Sequence, residues 1–307
     1  MILCAGEILA DMIGVEREGA FSYERKAGGA PFNVACAAAK FGAKTAFAGS
    51  VGEDCIGDFL YAFANSQKLE KVLLNRLKDR NTTLAFVDLD KNGERSFCFY
   101  RNSTADYVMP QIPEQLLNAA DIVHIGSLML SESEGISYAE ELARRAHAAG
   151  KIVSFDVNFR TDIFRDKESA VKAYKKILAL ADVVKFSEDE VEIFGESYIN
   201  GELYAKLVCI SLGGAGSEWR FKGESNTVPS IKVKPADTTG AGDAFYAGIL
   251  SQLCGLPREK WTKEVLNSAF RFGNVCGALN TLGKGAIDSL PDLAQVQNAL
   301  LETIPQK

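Results

Sequence analysis

The chain has 307 residues, of which 47% are hydrophobic and 24% charged, with a net charge of -6. That length can bury a substantial core in one or two domains, and the composition is that of an ordinary globular protein. The acidic balance argues against a broad nucleic-acid surface but leaves room for a local anion pocket, and no apolar run approaches the ~20 residues that span a bilayer.

The first residues, Met1-Ile-Leu-Cys-Ala-Gly-Glu, carry no basic stretch and reach Glu7 and Asp11 too soon for a signal peptide. The stretches Ile2–Ala5, 45–48, Ile122–Ile125, 152–155, 183–186 and 207–212 are almost continuously apolar, as buried parallel strands are. Helical patterns over 32–41, 136–149 and 169–180 alternate with them, and Gly42 and Gly150 stop the first two. This alternation predicts an α/β fold: a doubly wound, mostly parallel sheet flanked by helices. Two segments break the rhythm. Residues 11–27 and 82–100 read as hairpins, the second turning at Asp90-Lys-Asn-Gly. Paired with each other they would form a small β-sheet lid, made of segments about 11–27 and 82–102 inserted in a single domain spanning 1–307.

Seven scattered cysteines (Cys4, Cys36, Cys55, Cys98, Cys209, Cys254 and Cys276) form no Cys-x-x-Cys pair, which fits reduced, mostly buried thiols in a cytoplasmic protein. His124 in an apolar strand and His147 on a helix have no metal-ligand spacing around them and read as structural.

The most informative stretch follows an extended run over 231–234. In Asp237-Thr-Thr-Gly-Ala-Gly-Asp-Ala-Phe245 a tight glycine turn opens an apolar helix. The first amides of a helix have no internal partner and point outward, and the helix dipole adds positive potential. Gly240 and Gly242 let the backbone approach a phosphate, so an anion can be held without a lysine. Asp243 at the same place suits a general base for a hydroxyl attacking phosphorus; alternatively it caps the helix. The third glycine of a dinucleotide fingerprint is replaced by Phe245, and no Gly-x4-Gly-Lys-Ser/Thr is present.

Asp237–Phe245 resembles the C-terminal signature of the ribokinase-like carbohydrate kinase family, which includes ribokinase, fructokinase and 2-keto-3-deoxygluconate kinase. Gly28-Gly-Ala-Pro-Phe-Asn-Val-Ala35 is similar to that family's N-terminal signature, and the intervening motifs match in order. The resemblance covers essentially the whole chain and looks closest to fructokinase. It implies a β-lidded α/β enzyme that transfers the γ-phosphoryl of ATP, with Mg²⁺ and optionally K⁺ or another monovalent cation, to a small sugar. Fructose leads; 2-keto-3-deoxygluconate and ribose are alternatives, ahead of a nucleoside kinase or a silent sugar-binding protein. Neither nucleic acid nor membrane is an expected partner, whereas exposed lid edges could pair in a homodimer.

Carried over residue by residue, the resemblance makes Gly240, Ala241 and Gly242 the anion hole and Asp243 the base. Asp11, Gly28, Gly29 and Asn33 would meet the sugar, as would Asn158 and Arg160 of Asp156-Val-Asn-Phe-Arg. Arg101 would bind a sugar oxygen or the phosphoryl, or otherwise form a surface salt bridge. Ser211, Gly213 and Gly216 would lie beneath ATP, with Asn274 and Ala278 on the adenine wall and 283–286 completing the region. Glu190 would organise water around Mg²⁺, and Asp237 and Thr239 would help bind the monovalent cation. Two departures stand out. Ser187 replaces the family's usual Asn before Glu190, and the stretch 194–207 is shorter than usual.

Overall fold

The computed structural model describes residues 1–17, 19–89 and 95–302. In chain order the strands are β1 (Ile2–Ala5), β2 (Leu9–Arg17), β3 (Ala20–Gly28), β4 (Thr45–Gly52), β5 (Lys71–Leu77), β6 (Leu84–Leu89), β7 (Arg95–Tyr100), β8 (Ile122–Ile125), β9 (Ile152–Asp156), β10 (Val183–Ser187), β11 (Leu207–Ser211), β12 (Gly216–Phe221) and β13 (Glu224–Pro229). The helices are α1 (Ala30–Lys40), α2 (Cys55–Ser66), α3 (Glu114–Ala119), α4 (Ser133–Ala148), α5 (Lys167–Leu180), α6 (Glu188–Phe194), α7 (Glu196–Glu202), α8 (Ala241–Leu253), α9 (Lys263–Asn280) and α10 (Leu293–Glu302).

The described residues build a nine-stranded sheet in the order β13-β12-β11-β10-β9-β8-β1-β4-β5. From β11 to β5 every neighbouring pair is parallel; β12 and β13 add an antiparallel edge. Successive side chains of a strand point to opposite faces, and here both faces are covered. In β1, Ile2 and Cys4 join the core under α1, α8 and α9, while Leu3 and Ala5 join the one under α4 and α5. That double burial is why the strands read as unbroken apolar runs.

A second sheet has the order β3-β2-β6-β7. The two hairpins meet through the parallel pair β2 and β6, so the expected small sheet exists. The Asp90-Lys-Asn-Gly turn lies outside the described residues. The side chain of Asp54 anchors the root of this sheet. Its carboxylate caps α2 by accepting from Ile56 and Gly57 N–H, and it also takes the Thr82 N–H at 2.7 Å.

Some expectations change. Residues 231–234 form no strand in either sheet and run as irregular chain. The short stretch 194–207 still holds a helix, α7, directly after Gly195. Ser187 has a local reason: its hydroxyl accepts the Glu190 N–H and Glu190 reaches back to the Ser187 N–H, a capping box opening α6. Cys4, Cys36, Cys209 and Cys276 are buried, but Cys55 and Cys98 are exposed. His124 is buried against Ser154, and His147 pairs with Asp182 at 3.0 Å, structural roles for both.

Candidate active site

Strand order departs from β1 in both directions, toward β4 and toward β8. Open α/β sheets bind ligands at such a reversal, beyond the carboxyl ends of the strands. A polar cavity of about 370 Å³ lies there. Glu7 comes to it from the end of β1, and Asn158 and Arg160 from the loop after β9. Asn33 of α1 and the Thr239–Gly240 turn with Asp243 complete the core side. Leu9, Asp11 and Phe99 of the second sheet form the opposite wall.

Asp243 does not cap its own helix: α8 has no side-chain cap, and the Asp243 carboxylate accepts from Asn33 Nδ2 at 2.8 Å. The same carboxylate faces the cavity. Burial raises its pKa, against the Asn33 hydrogen bond and the cations Lys185 and Arg160. The capping alternative is therefore not what the fold builds.

The two signature glycines of the N-terminal motif serve different ends. A Cβ on Gly28 would lie 2.2 Å from Asp11 Oδ2, so Gly28 makes room for the Asp11 carboxylate and only through it for a ligand. Gly29 lines the cavity itself. Gly240 has φ 73°, and a Cβ there would stand 2.6 Å from Ala286 Cβ. The loop over 283–286 thus packs onto the turn and requires glycine beneath it.

A second cavity, of about 490 Å³, lies on the other side of the same turn. Ser211, Gly213 and Gly216 line it from the end of β11 and the turn that follows; Asn274 and Ala278 line it from α9. Ala241 and Gly242 face this cavity while Gly240 and Asp243 face the first, and Thr238 borders both. Asn274 also donates to Val228 O at 2.8 Å, so part of its work is to tie α9 to the β12–β13 hairpin.

Asp237 and Thr239 lie next to the turn. Asp237 accepts from the Thr239 N–H at 2.8 Å, from the Thr239 hydroxyl at 2.7 Å and from the Gly285 N–H at 2.9 Å. These oxygens knit the 237–239 turn to the 283–286 loop. Glu190 spends both oxygens on backbone, accepting the Phe159 N–H at 2.6 Å and the Ser187 N–H at 2.7 Å.

The salt-bridge expectation for Arg101 is corrected. Arg101 is only 4% exposed, so it is no surface salt bridge, and it does not line the cavity. Its Nε donates to Asp106 Oδ2 at 2.6 Å, its Nη1 to the Ser131 hydroxyl at 2.6 Å, and its guanidinium stacks 4.1 Å from the Tyr107 ring centroid. Asp106 in turn accepts from the Thr83 and Thr104 hydroxyls at 2.5 and 2.8 Å. Arg101 is the hub of a buried network behind the root of the second sheet.

Two site residues escape a reading of the sequence. Glu7 is 2% exposed, and neither carboxylate oxygen has a hydrogen-bond partner among the described residues. Burial pushes its pKa up to about 8, so it is largely neutral near pH 7. The only signal for it is an acidic residue at the carboxyl end of an apolar strand. Lys185 is the other; in the sequence it is one polar residue interrupting β10.

Two cavities meet at the amino end of α8, with the Asp243 carboxylate on one side and Ala241 and Gly242 on the other, an arrangement suited to an anionic group. Residues 1–293 match the pfkB family carbohydrate kinase. A fructokinase of Vibrio alginolyticus is 35% identical over 98% of both chains. The solved fructokinase of Xylella fastidiosa with bound ATP superposes with a TM-score of 0.91 at 31% identity, covering 98% of each chain. The fructokinase of Vibrio cholerae, solved with fructose, ADP and calcium ion, gives 0.85 at 29% identity over 97% of each. The chain belongs to the pfkB family of carbohydrate kinases.

Proposed function

We propose that this carbohydrate kinase is an ATP-dependent fructokinase, with the sugar in the polar cavity and the nucleotide in the larger one. One observation carries the reading: the turn Gly240–Asp243 is the wall between the two cavities, so a phosphoryl group held by its amides is within reach of a hydroxyl beside Asp243. Asp243 takes that hydroxyl's proton as the oxygen bonds to the γ-phosphorus and the bond to ADP breaks, and the Gly242 amide with the positive end of α8 offsets the charge of the group in transfer. Asp11 and Asn158 suit sugar hydroxyls, as a carboxylate accepts two at once and an amide both donates and accepts. Arg160 on the same wall adds positive charge toward the phosphoryl.

The second sheet acts as the lid, keeping water from intercepting the phosphoryl group. Mg²⁺, when bound, neutralises phosphate charge. Glu190, with both oxygens already accepting amides, suits a role through the metal's water shell and not as a bare ligand. The oxygen-only surroundings of Asp237 and Thr239 suit a hard monovalent cation. Free and mostly buried cysteines support a reducing, cytoplasmic setting. The aromatic outer face of the lid supports a homodimer formed there.

ADP release with ATP and Mg²⁺ across fructose, ribose, 2-keto-3-deoxygluconate and a nucleoside tests the substrate. Fructose should have the highest kcat/KM, by about 10-fold or more. A different winner would reassign the sugar, and no turnover with any would favour a silent binding protein.

A further inference from the structure

The signature turn contains no lysine, yet the fold supplies one from a distant strand. Lys185 on β10 is in register with Asp156 on β9, and its Nζ donates to Asp156 Oδ1 at 2.9 Å. The side chains are 8% and 4% exposed. A Cβ added to Gly242 would lie 3.6 Å from the Lys185 Nζ, and Lys185 is all it would meet within 4 Å. The ammonium therefore sits directly beneath the amino end of α8.

A buried ion pair is a weak source of stability, because desolvating both charges offsets most of their attraction. The same face of the sheet is filled elsewhere by Val183 or by the neutral chain His124–Ser154–Tyr246, whose hydrogen bonds are 3.1 and 2.7 Å long. A charged pair at this one place thus calls for another reason. Burial opposes the ammonium, but Asp156 and Glu190 hold its pKa above the usual value, so it stays charged. Around Asp243 the titratable groups are Lys185 on β10, Arg160 after β9, Asp156 on β9 and Glu7 after β1, with the neutral Asn33 on α1. Two of these are cations. Arg160 is partly exposed and screened by solvent, whereas Lys185 is enclosed.

We infer that Lys185, oriented by Asp156, is a positioning residue of the phosphoryl transfer: a fixed cation beneath the anion hole that holds Asp243 in its carboxylate form. It also adds positive potential under the transferring group without touching it. The inference rests on Asp243 being the base, so Asp243→Asn is assayed beside it.

The test is Lys185→Gln, with Lys185→Arg as the charge-retaining control and thermal unfolding to verify folding. Folded Lys185→Gln should lose about 10-fold or more in kcat at pH 7, with KM for fructose within about 3-fold. The acid limb of its kcat–pH profile should move to higher pH, because Asp243 has lost a cation that favours ionisation. Lys185→Arg should restore the limb. If Lys185→Gln fails to fold, Lys185→Met, which keeps more of the side chain's apolar stem packing, is measured against the same expectations. A folded variant with kcat within about twofold of wild type and an unmoved acid limb overturns the inference, as does a loss confined to KM. Normal Lys185→Gln beside an inactive Asp243→Asn rejects only this inference, whereas an active Asp243→Asn rejects the site assignment beneath it.

Discussion

Asp243 and Glu7 are two carboxyls at one cavity with different tasks. Asp243 is hydrogen-bonded by Asn33 and opposed by cations, so it can be drawn back to the charged form a base needs. Asp243→Asn should cut kcat by at least ~10²-fold while leaving sugar and ATP binding nearly intact, read by steady-state kinetics and calorimetric titration. For Glu7 burial outweighs the nearby Arg101 cation. Its folded pKa of about 8 lies above the ordinary carboxylate value, so the folded state holds an extra proton between the two. That contribution to stability is complete below the unfolded pKa and is lost as pH rises toward the folded one. Glu7→Gln, which cannot ionise, should therefore show a flatter Tm between about pH 5 and 8, its advantage over wild type growing with pH. An identical pH dependence in the two proteins would refute it. Arg101 now belongs to stability: Arg101→Met strands the buried Asp106 and should cost about 3–5 kcal/mol in denaturant unfolding.

The site is built mainly at the ends of elements. Gly240 opens α8 with a left-handed residue pressed against Ala286. Gly240→Ala should destabilise the chain by roughly 1–3 kcal/mol and reduce kcat, since the added Cβ must displace the 283–286 loop or the turn. The start of α6 has a comparable double use. Glu190 closes the capping box and fixes the Phe159 amide, so Glu190→Gln leaves one amide poorly paired and should cost about 1 kcal/mol without metal. It should also raise the Mg²⁺ needed for activity while sparing sugar affinity. A stability loss with an unchanged Mg²⁺ titration would reduce Glu190 to a cap.

Across the whole molecule the second sheet has two contrasting faces. Asp11 and Phe99 share the face toward the cavity, whereas Phe21, Tyr23, Phe86 and Tyr100 lie on the other. These rings contact one another edge to face, with centroids 5.2, 4.9 and 5.0 Å apart along the series. Phe21 and Tyr100 are nevertheless 62% and 60% exposed. The homodimer proposed above would form on this contiguous aromatic surface. Phe21→Ser/Tyr100→Asp should convert a dimer to monomer in light scattering, and an unchanged mass would place any interface elsewhere. The sheet is tied to the core by Lys26 and Asp288, 2.7 Å apart but exposed enough to contribute only about 0–1 kcal/mol. The firm ties are at the root, through Asp54 and Thr82 and through Thr83 and Asp106, which leaves the rest of the sheet weakly held, as the lid role proposed for it needs.

The sequence by itself determined the layered α/β fold, the two hairpins and the glycine turn before α8, because hydrophobic periodicity and helix-end chemistry are local. Its signature motifs likewise named most residues that meet at the cavities: Asp11, Gly29, Asn33, Asn158, Arg160 and Asp243 on one side, Ser211, Gly213 and Asn274 on the other. Tertiary structure decided the rest. The half-buried edge strand β5 has its apolar residues in a run without alternation, and the short helices α3 and α7 have too few for a clear period. Arg101 reads in sequence as a charge after two aromatics, and only packing shows Asp106, Ser131 and Tyr107 enclosing it. Glu7 and Lys185 look like polar interruptions of apolar strands. What makes them site residues is burial beside Asp243, from which they stand 236 and 58 positions away along the chain. Desolvation and the field of neighbouring charges act through space, and no local pattern of residues records them.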